Sequence, residues 1–174
     1  MLSLTDGALA EMVAHSYRCY PEEACGLLAG DARSGRVSVV YPCRNAAESA
    51  RVYTIEPRDH LLADRDAEHR GLSIVGVFHS HTHTDPYPSP TDVEQAPDPD
   101  WHYVIVSLKR EAPELRSYRI ADGGITEEQV ASGAQGTRLE HRALEGHREL
   151  VELIDGPSGR LQVAVGERDL DEGG

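Results

Sequence analysis

The 174-residue chain is poor in the residues that staple small proteins or fill their cores with rings. It has three cysteines, one phenylalanine and one tryptophan, and aromatics make up 5% of it. Cys19, Cys25 and Cys43 are odd in number and show no C-x-x-C spacing. That pattern indicates neither a disulfide framework nor a cysteine zinc site, and a reducing cytoplasm suits it. No apolar run approaches the ~20 residues needed to cross a bilayer, so no membrane role is expected. The start, MLSLTDGALAEMVAH, lacks the positive region and apolar stretch of a signal peptide. Positive charge is scarce as well. Seventeen Lys and Arg stand against thirty Asp and Glu, a formal net charge of −13. So acidic a surface repels phosphates, which argues against nucleic acid as a partner. A neutral partner, or one with its own basic patch, is favoured.

What is present suits one soluble domain with an ordinary core, since 39% of residues are hydrophobic and 27% charged. Thr5 caps a predicted helix to about Cys19, with Leu9, Met12, Val13 and Tyr17 at helical spacing and Pro21 beyond its end. Residues 24–29 and 73–80 are continuous apolar runs, as expected of buried central strands. Further strands are expected over 37–41, 52–55, 103–108, 115–120 and near 125–130. Helices are expected over 56–70, stopped by Gly71, and over 91–96. The fold class is therefore α/β, a mixed sheet flanked by helices and occupying residues 1–130. Residues 131–174 read as a linker, then a β-hairpin around Asp155-Gly156-Pro157-Ser158-Gly159, then a disordered acidic tail. Its first apolar piece could instead end a helix beginning near Glu140.

The chemistry concentrates in His79-Ser80-His81-Thr82-His83-Thr84-Asp85-Pro86-Tyr87-Pro88-Ser89-Pro90-Thr91-Asp92. His79 and His81 lie two apart at a strand end, so both imidazoles leave the same face. Their α-carbons stand roughly 6.5–7 Å apart, within reach of one ion. Imidazole and carboxylate together suit zinc, and a catalytic zinc takes three protein ligands and leaves a position open. Asp92 is the best third ligand. Ser89 reads as an N-cap, Pro90 as the first helical residue, and Asp92 falls in the first turn. Prolines 86, 88 and 90 stiffen the loop that returns this turn over the strand. Singly, each of these residues has a plain structural explanation; together they point to a metal site. His83 reads as a solvated loop histidine, Cys25 as a core filler, and Trp101 and His102 as core-edge residues.

His79-x-His81, seven residues, Ser89, two residues and Asp92 match the signature of the JAMM (MPN+) zinc metallopeptidases at every position, and Glu23-Ala24-Cys25-Gly26 fits that family's glutamate context. The chain resembles this family over residues 1–130. The resemblance implies a JAMM/MPN fold of the cytidine-deaminase-like kind and one zinc ion per chain held by His79, His81 and Asp92. It also implies Glu23 as general base and Ser89 as the residue steadying the attacking water and the oxyanion. MVAHSYRCYPEEACGLLAG and HYVIVSLKREAPELRSYRIADGGITEEQV are similar to the actinobacterial Mec-type members. That similarity implies hydrolysis of the amide between the C-terminal Gly-Gly of a ubiquitin-like sulfur-carrier protein and cysteine. An isopeptidase removing a ubiquitin-like modifier, and a non-catalytic MPN scaffold, are the alternatives. A zinc deaminase is excluded, because its H-x-E and P-C-x-x-C elements are missing. A homodimer stays open.

Overall fold

The computed structural model describes residues 1–133 in full and the backbone of 149–155 and 161–167. The elements run β1 (Leu2–Leu4), α1 (Asp6–Cys19), β2 (Cys25–Asp31), β3 (Arg36–Cys43), α2 (Pro57–His69), β4 (Ser73–His81) and α3 (Pro90–Glu94). They continue with β5 (His102–Ser107), β6 (Glu114–Ala121), β7 (Gly124–Glu128), β8 (Val130–Ser132), β9 (Glu149–Asp155) and β10 (Leu161–Glu167). One sheet orders them β8-β1-β3-β2-β4-β5-β6-β10-β9, with β7 also paired to β6. The sheet is mixed. β2 runs antiparallel to both β3 and β4, whereas β4 and β5 are parallel.

Local chemistry explains the helices. The Thr5 side chain accepts a hydrogen bond from the Ala8 N–H at 3.2 Å, a cap worth about 1 kcal/mol. Ala8, Leu9, Met12 and Val13 then form the buried stripe of α1. Tyr17, expected on that stripe, is partly exposed instead. α2 begins with Pro57 and buries only Ala63 and Ala67, and Gly71 follows it at φ +69°, a value glycine tolerates without strain.

The two sheet faces hold different cores. Leu9, Met12 and Val13 of α1 pack on Leu28, Phe78 and Val104 on one face. On the other, Val77, Tyr103, Ile105, Tyr118 and Ile120 form a cluster flanked by Tyr53 and Trp101. Because side chains alternate along a strand, His79 and His81 share the face of Val77. His79 registers with Cys25 on β2 and Ile105 on β5, and His81 with Ser107. The histidines therefore stand at the edge of an apolar floor, at the end of a central strand.

Four local expectations change. Residues 52–55 form no strand, and only an isolated bridge joins Asn45 to Ile55. The strand expected near 125–130 is two, β7 on β6 and β8 parallel to β1, an element the sequence pattern missed. The short helix ends at Glu94 rather than residue 96. The expected boundary after Val130 falls inside β8. β9 and β10 pair antiparallel, and Gln162 registers with Glu114 on β6. The linker beyond residue 133, the alternative helix near Glu140 and the acidic tail lie outside the described residues.

Gly76, in the strand that carries the histidines, gives a sharp test of this packing. A Cβ there would lie 2.3 Å from the His102 carbonyl oxygen, and that oxygen belongs to the neighbouring strand's backbone. Gly76→Ala is expected to destabilise the domain by about 1–3 kcal/mol in urea unfolding. An unchanged midpoint would show that β4 and β5 do not approach so closely.

Candidate metal centre

The two histidines and the aspartate converge. His79 Nε2 lies 3.1 Å from His81 Nε2, 3.5 Å separate His79 Nε2 from Asp92 Oδ1, and 3.7 Å separate His81 Nε2 from Asp92 Oδ2. Among the described residues this is the one group of three such side chains with one donor atom each inside a 4.8 Å sphere of mutual distances. His79 and His81 are 2% and 5% exposed. A tetrahedral ion with bonds of about 2.0–2.1 Å sets its ligand atoms roughly 3.3 Å apart, so the residues present fit a small divalent transition metal.

Each donor is aimed by its own neighbours. His81 Nδ1 lies 2.9 Å from the Asp85 carbonyl oxygen. Donating its proton there leaves the Nε2 lone pair facing the cluster, the usual way a protein fixes a ligating tautomer. His79 lies under the ring of Tyr53, stacked at 4.5 Å and 20°. Asp92 is the N3 residue of α3 in a full capping box. Its Oδ2 accepts from the Ser89 N–H at 2.6 Å, and Ser89 Oγ accepts from the Asp92 N–H at 3.2 Å. The cap uses the Ser89 oxygen as an acceptor. The loop behind this turn is pinned as well. Tyr118 OH donates to the Pro86 carbonyl, Ser107 Oγ to the Thr84 carbonyl at 2.6 Å, and Lys109 Nζ meets Asp85 Oδ2 at 3.0 Å.

Burial and neighbouring charge set the protonation states. Burial pushes His79 down, towards the neutral form a metal ligand needs. Burial also opposes the Asp92 charge, but the His79 and His81 rings at 3.5 and 3.7 Å, together with the Ser89 cap, outweigh it and hold that carboxyl well below the usual range. For Glu23 burial wins. Desolvation lifts its carboxyl to about 7, with His81 pulling it down and Asp92 pushing it up.

Glu23 precedes β2 and is 5% exposed, whereas Glu22 beside it is exposed. Its N–H donates to the Ser49 carbonyl at 2.9 Å. Ser80, between the two histidines and on the opposite face, locks the next residue: its Oγ accepts from the Ala24 N–H at 2.8 Å, and its N–H donates to the Ala24 carbonyl at 2.9 Å. All five sequence-predicted residues thus gather at one end of β4. His83 is exposed, with Nδ1 2.7 Å from Thr82 Oγ1, and Cys25 is a fully buried core residue with its thiol pushed up by desolvation.

Sequence reasoning missed three supports, Ser80, Tyr53 and Asn45. The Asn45 amide donates to the carbonyls of Glu23 at 3.0 Å, Val52 at 3.1 Å and Ser49 at 3.4 Å. Its Oδ1 accepts from the N–H groups of Ala47 and Thr54, both at 3.0 Å. One side chain so ties the backbone of Glu23 to the residues flanking Tyr53. A lone asparagine in a polar loop gives no sequence signal of this kind.

A family model for prokaryotic homologs of the JAB domain matches residues 5–121. The CysO-cysteine peptidase of Mycobacterium tuberculosis is 47% identical over 120 residues, 68% of this chain and 82% of that protein. The desampylase of Haloferax volcanii is 40% identical over 88 residues, 50% of this chain and 63% of that one. A solved structure of a Desulfitobacterium hafniense protein superposes with a TM-score of 0.71 at 36% identity, covering 82% of this chain and 97% of that one. A JAB1/MPN domain protein from Archaeoglobus fulgidus shares the fold at 16% identity, with a TM-score of 0.50 over 75% of this chain and 100% of that one.

Removing the Asn45 side chain takes this partner from the Glu23 and Val52 carbonyls and from the Ala47 and Thr54 N–H groups, while the Ser49 carbonyl keeps the Glu23 N–H. Asn45→Ala is expected to cost about 2–4 kcal/mol in urea unfolding. Asn45→Asp should also destabilise, because it sets an acceptor against those carbonyls. A loss below about 0.5 kcal/mol in both variants would contradict the clamp.

Proposed function

The chain belongs to the family of prokaryotic JAB-domain homologues, and from that premise we propose that it is a zinc-dependent peptidase. Its substrate is the amide joining the C-terminal Gly-Gly of a ubiquitin-like sulfur-carrier protein to cysteine. The observation that carries the chemistry is the convergence of His79, His81 and Asp92 beside a buried carboxylate at Glu23. The 47% identity to a CysO-cysteine peptidase supports the substrate. A diglycine tail suits the site because glycine lets backbone come close without a side chain to clash.

His79, His81 and Asp92 would hold one zinc ion. Bound there, zinc supplies Lewis acidity, polarising a carbonyl and acidifying water. The chain's own groups do the rest. Glu23 takes a proton from the attacking water and returns it to the leaving amine nitrogen, a task suited to a carboxyl lifted towards neutrality. The Ser89 hydroxyl, its oxygen already occupied by the Asp92 N–H, donates its proton to the oxyanion. The pinned loop from Thr82 to Ser89 keeps Asp92 and Ser89 in place before substrate arrives, so little ordering entropy is lost on binding. Catalysis is assigned to residues 1–130. Residues 131–174, with the β9–β10 hairpin, are assigned to stability or carrier affinity.

The desampylase relatives favour a second reading, removal of a ubiquitin-like modifier from proteins. Mass spectrometry of the products separates the two, since the first releases free cysteine and the second releases a protein.

Asp92→Ala should lose most of the bound metal by elemental analysis while the fold persists, and unchanged zinc would reject Asp92 as a ligand. Glu23→Gln should keep the metal and lose turnover by roughly 10²–10⁴-fold. If Glu22→Gln were the inactive variant instead, the base would be assigned one residue wrongly. The base works deprotonated, so activity falls as pH drops through its pKa. A neighbouring cation lowers that pKa from about 7. The acid limb should therefore lie between the ordinary carboxylate value of about 4.3 and about 7.

A further inference from the structure

The two imidazoles of the centre are held in different ways. His81 is tethered through Nδ1 to the Asp85 carbonyl at 2.9 Å, whereas among the described residues none hydrogen-bonds to Nδ1 of His79. The bond that joins a flat ring to its side-chain stem has a broad, roughly two-fold torsion, so an untethered imidazole swings easily about it. Such a swing carries Nε2 out of line with an ion that His81 and Asp92 hold. What packs against the faces of His79 must therefore set its plane.

Tyr53 supplies that restraint. Its ring lies flat on the His79 ring, with centroids 4.5 Å apart and planes 20° apart. The His81 ring meets His79 at 4.9 Å and a tilt of 57°, and so offers no flat surface. A stacked partner resists rotation, because turning the imidazole drives its edge into the neighbouring ring in a close-packed interior.

The position of Tyr53 is fixed independently of His79. It packs against the apolar cluster of Val77 and Ile105 and also against that of Cys25 and Leu27. Asn45 grips the chain on either side of it, donating to the Val52 carbonyl at 3.1 Å and accepting from the Thr54 N–H at 3.0 Å. The Thr54 carbonyl in turn accepts from the Ala46 N–H at 2.7 Å. A ring anchored in this way can serve as a fixed wall for its neighbour.

We infer that Tyr53 is a positioning residue of the metal centre. Its ring face does for His79 what the Asp85 carbonyl does for His81, holding the imidazole plane ready for the ion. The inference rests on the reading of His79, His81 and Asp92 as zinc ligands. The face of the ring, and not the hydroxyl, is the working part.

The test is zinc affinity, read by competition with a chromophoric chelator, together with the visible spectrum of the cobalt(II)-loaded protein. Tyr53→Leu and Tyr53→Met keep apolar bulk and remove the flat face. Both should bind zinc roughly 10–100-fold more weakly, the usual loss when a neighbour that orients a ligand is removed, and both should shift the cobalt bands. Tyr53→Phe keeps the face and should restore affinity and spectrum to the parent values. A lowered urea midpoint in the Leu and Met variants, with affinity and spectrum unchanged, makes Tyr53 a structural residue alone and overturns the inference. Weakening in Tyr53→Phe equal to that in Tyr53→Leu also overturns it, since the hydroxyl would then be the group that matters. Zinc bound as tightly by His79→Ala as by the parent protein overturns the ligand assignment, and this role with it.

Discussion

Two buried imidazole nitrogens 3.1 Å apart, with a carboxylate within 3.7 Å of both, are the arrangement on which the rest depends. Three lone-pair donors crowd together in a place where water cannot screen them, and at least one proton or a cation must lie between them. The scaffold meets that demand by rigidity. Both histidines come from one central strand, whose neighbours on each side are fixed by ladder hydrogen bonds. The aspartate is held by a capping box, the loop by anchors at Pro86, Thr84 and Asp85, and the backbone of Glu23 and Ala24 by Asn45 and Ser80. A site prepared in this way reorganises little when it is filled, which is what electrostatic catalysis requires.

The parts legible in the sequence were those whose causes are local. The Thr5 cap, the apolar stripe of α1 and the all-apolar run of β2 each announce themselves within a few residues. So does the centre, because a strand places His79 and His81 on one face, and Ser89-Pro90 starts a helix that puts Asp92 in its first turn. What stayed hidden is non-local. β1 has three residues, and only pairing with β3 and β8 makes it a strand. Residues 52–55 have strand-forming composition, yet Asn45 and the burial of Tyr53 against His79 hold them as a loop. Ser80 looks like filler between two histidines. Its role appears only when the chain brings Ala24 alongside it.

The centre itself is tested most directly by X-ray absorption at the zinc edge of the metal-loaded protein. The account predicts light scatterers alone, two imidazole nitrogens and one carboxylate oxygen from the chain, at about 2.0–2.1 Å. A sulfur shell at about 2.3 Å would place the ion on Cys19, Cys25 or Cys43 instead and contradict it.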